Sequence, residues 1–84
     1  MITFEDIAFA EYWQWAEKDR KTFRKINTLI SEIKRDPFHG IGKPEPLTGN
    51  LSGHWSRRIT DEHRLVYKVF PDQVVIVSCK YHYK

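Results

Sequence analysis

The chain has 84 residues, 30% of them charged and 14% aromatic, with a formal net charge of +3 and one cysteine. That length supports one domain, residues 1–84, burying roughly 60–65% of its unfolded surface, and a lone Cys79 excludes an intrachain disulfide. The longest apolar run, Val74 to Val77, is too short to span a bilayer, and no charged-then-apolar leader is present, so the expectation is a soluble, cytoplasmic chain with no membrane partner.

Ile2-Thr3-Phe4 reads as a short edge strand. Asp6 can cap a helix, in which Ala8, Phe9, Tyr12, Trp13 and Ala16 fall on one face. Asp19 caps a second helix with an apolar stripe of Phe23, Ile26, Ile30 and Ile33. Lys34 and Arg35 near its end suit the helix dipole, and Pro37 stops it. Helical periodicity then lapses from Phe38 to Gly53, where four glycines and two prolines predict a loop. Pro44 and Pro46 stiffen it, and Pro46 biases Glu45 toward extended backbone. Three strand-like runs follow: Trp55–Thr60, Arg64–Phe70 and Val74–Tyr81. Turn residues at Asp61-Glu62 and Pro71-Asp72 make them an antiparallel meander. The predicted architecture is α+β, in the order βααβββ, with two helices on one face of a twisted antiparallel sheet.

Strand parity separates chemistry from packing. Trp55, Ile59, Leu65, Tyr67 and Val69 belong on the helix side. Ser56, Arg58, Thr60, Arg64 and Lys68 fall on the other face, joined by Ser78, Lys80 and His82. Arg57 shares parity with the apolar set, so either it snorkels at the sheet edge or a bulge shifts the register. The charge distribution agrees with a basic face. Residues 1–36 hold seven acidic and seven basic side chains, whereas residues 37–84 hold four acidic, seven basic and all four histidines. A basic patch confined to one half suggests a polyanionic partner, although solubilising charge gives the same count.

The last 45 residues also hold the inventory that RNA cleavage by its own 2′-hydroxyl requires: a base, a cation for the phosphorane and an acid for the leaving oxygen. Glu45, between two prolines, is either a rigidly held base or a solvated loop glutamate. Arg64 is either a bidentate phosphate ligand or a surface partner of Glu62. His82 can donate a proton near neutrality, and Tyr83 can orient a phosphate or stack on a base; both are also consistent with an unengaged tail. Among the aromatics, Trp55 is the one candidate for an RNA interface, the others reading as core. Lys43, Arg58, Lys68 and Lys80 complete the candidate RNA contacts. Histidine spacing and the single cysteine give no metal motif, and neither a phosphate-binding glycine loop nor a nucleophile elbow is present, so no cofactor is expected.

Several blocks occur in fixed order: Lys25-Ile26-Asn27 with Leu29-Ile30, Asp36-Pro37-Phe38, Gly42 through Leu47, Leu51-Ser52-Gly53, Trp55 through Thr60, Glu62 through Tyr67, and Tyr81-His82-Tyr83. Over nearly its full length the chain resembles the YoeB toxins of the RelE/ParE superfamily. The resemblance implies a microbial-ribonuclease-like fold and an endonuclease that cuts mRNA in the A site of the 70S ribosome. It further implies inhibition by a cognate YefM-type antitoxin, and a homodimer is possible. On this resemblance Glu45 is the general base, Arg64 the transition-state cation, His82 the general acid, Tyr83 a phosphate-positioning residue and Arg58 a phosphate ligand. Lys84 departs from the pattern by adding a cation after the tyrosine. Two other readings stay open: a ParE-like gyrase inhibitor without nuclease chemistry, and a non-catalytic RNA-binding module.

Overall fold

The computed structural model of the chain describes residues 1–81. Strand β1 (Ile2–Phe4) leads into helices α1 (Asp6–Lys18) and α2 (Arg20–Arg35). Strands β2 (Glu45–Pro46), β3 (His54–Arg58), β4 (Arg64–Val69) and β5 (Val74–Ser78) follow. The sheet order is β1-β5-β4-β3-β2.

The expected meander is present as β3-β4-β5, each strand ending one to three residues before the expected end and β3 starting one residue earlier. Two features extend it. The first strand pairs with β5 in parallel, Ile2 opposite Val74 and Phe4 opposite Ile76, so the sheet is mixed rather than wholly antiparallel. The loop expected between Phe38 and Gly53 also contributes an edge strand: Glu45 pairs with Ser56 and Pro46 with Trp55. An edge is where a proline is tolerated, since it has no N–H to offer a ladder.

One residue, Asp19, joins the helices. Its N–H closes α1 on the Trp15 carbonyl, and its carboxylate caps α2 by accepting from the Thr22 N–H and hydroxyl at 3.2 and 2.8 Å. Those bonds hold the Asp19 carboxyl below its usual range. Helix α2 buries Ile26, Leu29 and Ile33, close to the expected stripe. Helix α1 is rotated from expectation. Ala8 and Trp15 are buried, whereas Phe9 and Trp13 are about half exposed, at 49% and 53%. The rotation has a polar cause at the end of β5. The Trp15 indole N–H donates to the Cys79 carbonyl at 2.8 Å, and Glu11 accepts from the Cys79 N–H at 2.9 Å.

Both helices pack on the sheet face formed by Ile59, Leu65, Tyr67, Val74, Ile76 and Cys79. A register shift between Val66 and Tyr67 sets Tyr67 opposite Ile76 but Val66 opposite Ser78. This bulge lets Ile76 and Ser78 serve opposite faces despite their equal parity.

Arg57 resolves neither by snorkelling nor by a shift of register in β3. It stays in register opposite Leu65 and is fully buried on the helix side. Its guanidinium donates to the Tyr67 hydroxyl at 3.1 Å and to the carbonyls of Ile41, Asp36 and His39 at 3.0, 2.6 and 2.9 Å. Tyr67 in turn donates to the Pro37 carbonyl at 2.7 Å. Four carbonyls of the segment after α2 are thereby satisfied by two buried side chains.

Two outcomes follow from this packing. Arg57→Met leaves three of those carbonyls without a partner, so it lowers unfolding free energy by roughly 3 kcal/mol or more, readable as a shift of the urea midpoint. A variant as stable as the parent contradicts the role. Burial, reinforced by the Glu11 carboxylate, pushes the Cys79 thiol up to about 12. At pH 8 it remains protonated, so iodoacetamide leaves the folded chain unlabelled and modifies it in denaturant; rapid native labelling contradicts this.

Candidate active site

On the sheet face turned away from the helices, Lys43, Glu45, Ser56, Arg58 and Arg64 line a recess of about 80 Å³. Three segments build it, each by a different local device. The loop brings Lys43 and Glu45. Gly42, at φ 83°, docks this loop by accepting the Arg58 N–H at 2.6 Å. A Cβ there would lie 2.8 Å from a Leu29 methyl and 3.1 Å from the Arg57 Cβ, so both its conformation and its packing require glycine. Lys43 follows at φ 52°, and the chain then enters β2, which holds Glu45 across from Ser56. Ser56 is buried and lies at the recess from β3, as parity predicts.

The β3–β4 turn supplies the arginines. Arg58 and Arg64 face each other across the two strands. Thr60 closes the turn by accepting the N–H groups of Glu62 and His63 through its hydroxyl, at 3.2 and 3.1 Å. Arg64 folds back on this turn: its Nη1 donates to the carbonyls of Thr60, Asp61 and His63 at 2.6, 3.2 and 3.1 Å. Those bonds use one end of the guanidinium and leave the Nε–Nη2 edge as the one suited to a bidentate phosphate contact. Arg58 approaches Asp61 at 3.9 Å, a loose, exposed pair that contributes little.

The recess therefore combines one carboxylate with three cations on rigid elements, as binding a phosphodiester and abstracting a proton beside it require. Larger hollows occur elsewhere. One of about 240 Å³ is lined by residues including Met1, Ile33, Phe70 and Gln73, and one of about 340 Å³ by Lys21, Thr22, Lys25, Ile59 and Thr60. Neither pairs a carboxylate with an arginine, so size is a poor guide here. Among the described residues, no three His, Cys, Asp or Glu side chains converge to hold a metal ion.

The remaining sequence candidates are dispersed. Trp55 lies on the helix side, 5.0 Å ring to ring from Phe38, and is half-buried against the core. Its aromatic surface is used for packing, not for the recess. Lys68 is opposite His54, at the other end of the strand from Arg64, with its ammonium 5.4 Å from the Phe70 ring. Lys80 reaches Gln14 of α1 at 3.2 Å and lies over the Tyr81 ring, so the residues after Ser78 do not continue the strand parity expected for Lys80. His82 and Tyr83 lie outside the described residues. Sequence reasoning passed over His63, a buried imidazole in the β3–β4 turn. Its charged neighbours Glu62 and Arg64 read as a solvated turn, and no periodicity signals that the ring turns inward to Trp15, 4.8 Å away.

Comparisons with known proteins bear on the fold and the family. Residues 4–83 match the family model described as YoeB-like toxin of bacterial type II toxin–antitoxin system. Toxin YoeB of Streptomyces coelicolor is 61% identical over 82 residues, covering 98% of each chain. Among solved structures, a YoeB/ParE toxin from Agrobacterium tumefaciens superposes with TM-score 0.94 at 43% identity, covering 98% of both chains. A toxin chain of the heterotetrameric YoeB–YefM toxin–antitoxin complex from Staphylococcus aureus matches with TM-score 0.91 at 50% identity, over 99% of this chain and 97% of that one. With both helices, strands β2 to β5 and the recess falling within the matched residues, the chain belongs to the YoeB-like toxins of bacterial type II toxin–antitoxin systems.

Proposed function

We propose that this toxin is a ribosome-dependent endoribonuclease that cuts mRNA in the A site by 2′-hydroxyl attack. The observation that carries this reading is the recess: a carboxylate on a stiff edge strand facing two arginines held across a tight turn. Glu45 accepts the 2′-hydroxyl proton as its oxygen attacks the adjacent phosphorus. Arg64, with Arg58 and Lys43 beside it, stabilises the charge that builds on the phosphorane. His82 gives a proton to the departing 5′-oxygen, and Tyr83 orients the scissile phosphate. The products are a 2′,3′-cyclic or 3′-phosphate and a 5′-hydroxyl. No step passes through a metal.

An 80 Å³ recess binds little more than one phosphate group. That favours a substrate whose remaining contacts are supplied from outside, as a codon held on the ribosome is. The partner that silences the toxin is an acidic, apolar antitoxin segment of the YefM type. It covers the basic face and orders on binding. The Staphylococcus aureus complex supports such a partner, and a YoeB dimer from the same organism supports self-association.

Programmed 70S ribosomes provide the test. Cleavage persists in excess chelator under conditions that keep ribosomes intact, and Glu45→Gln slows it by roughly a hundred- to ten-thousand-fold. Complete loss with chelator overturns the metal-free mechanism. An unchanged rate in Glu45→Gln points to a non-catalytic binder, and damage to DNA before translation stops points to a gyrase poison. A second outcome concerns the tail. The core ends at Cys79 among the described residues, so truncation after Tyr81 preserves the melting temperature and most salt-sensitive ribosome binding while abolishing cleavage. A truncated chain that still cuts at the parent rate refutes the roles given to His82 and Tyr83.

A further inference from the structure

Tyr81, the last described residue, has φ 63°. The left-handed region is strained for an aromatic residue and persists only where surroundings impose it. Here they do, from three sides. The Tyr81 N–H donates to Nδ1 of His63 at 2.7 Å. The Tyr81 carbonyl accepts from the Arg64 N–H at 3.2 Å. Upstream, Cys79 is held at both its N–H and its carbonyl by Glu11 and Trp15. The two residues that grip Tyr81 are adjacent, and the second of them is the arginine of the recess.

We infer that His63 is a positioning residue: its imidazole, accepting from the Tyr81 N–H, fixes the Tyr81 backbone beside Arg64. The inference rests on the proposed function, in which the residues after Tyr81 supply the acid. A backbone N–H can only donate, so Nδ1 must present its lone pair and the ring proton belongs on Nε2. The Glu62 carboxylate, 3.6 Å from Nε2, favours that tautomer. The ring is wedged between Trp15 and Tyr81, with centroids 4.8 and 5.4 Å away, and is nearly excluded from water. The arginines of the recess cannot replace this bond, because a guanidinium only donates and the Tyr81 N–H needs an acceptor.

A purely space-filling histidine would need only its ring, and two variants separate the possibilities. His63→Phe keeps a ring against Trp15 and removes the acceptor. His63→Asn sacrifices ring packing but places an amide oxygen near the Nδ1 position. On programmed ribosomes His63→Phe lowers kcat by ~10- to 100-fold with KM little changed, and His63→Asn recovers most of that loss despite a lower melting temperature. A His63→Phe variant with the parent kcat, or activities that simply follow melting temperature, overturns the inference. Long-range ¹H–¹⁵N correlation on the unmodified protein reads the tautomer without any variant: a proton on Nδ1 also overturns it. A parent chain that does not cut RNA at all defeats the nuclease reading instead, while the tautomer still reports on the hydrogen bond.

Discussion

The buried guanidinium of Arg57 is the constraint on which the geometry of this toxin depends. A charge removed from water is tolerable only when its donors are satisfied. Here the donors meet three backbone carbonyls and a tyrosine hydroxyl. The exchange runs both ways, because the segment after α2 has irregular backbone whose carbonyls lack a ladder. Arg57 thus substitutes for secondary structure across residues 36–41 and delivers the chain to Gly42 at a fixed height above β3. From there the loop can enter β2 in only one register, and that register places Glu45 opposite Ser56.

The site is accordingly a product of the sheet more than of the loop. Arg58 and Arg64 are neighbours because β3 and β4 pair residue for residue up to the turn. Glu45 joins them because a two-residue edge strand extends the same ladder. Hydrogen-bonded ladders hold relative positions more tightly than a free loop does, and the proposed action of a base and a cation on one phosphate needs that tolerance. The cost falls on Lys43, which takes a positive φ beside the glycine that docks the loop.

Much of this was legible in sequence because period-two parity survives in β3 and β4. It correctly separated Ser56, Arg58 and Arg64 from Leu65 and Tyr67. Parity also flagged Arg57 as anomalous, and the anomaly marked the residue that organises the loop. What could not be read were contacts between distant segments. Nothing local in Ile2-Thr3-Phe4 specifies a parallel partner. Aromatic residues flank α1 on both sides, so its periodicity did not reveal that Glu11 and Trp15 would choose the inward face by bonding Cys79. Strand β5 ends at Ser78, so parity no longer governs Lys80, which lies toward α1. Family resemblance supplied the roles proposed for His82 and Tyr83, which composition alone left undecided.

The parallel pairing of β1 with β5 has a bearing on biogenesis. Ile2 finds its partner in Val74, so the first strand made is among the last to be placed, and closing so long a loop delays its docking. Until β5 emerges, the nascent polypeptide lacks the strand that flanks β4 and the Cys79 backbone that orients α1. Synthesis of the toxin is thus separated in time from acquisition of its shape.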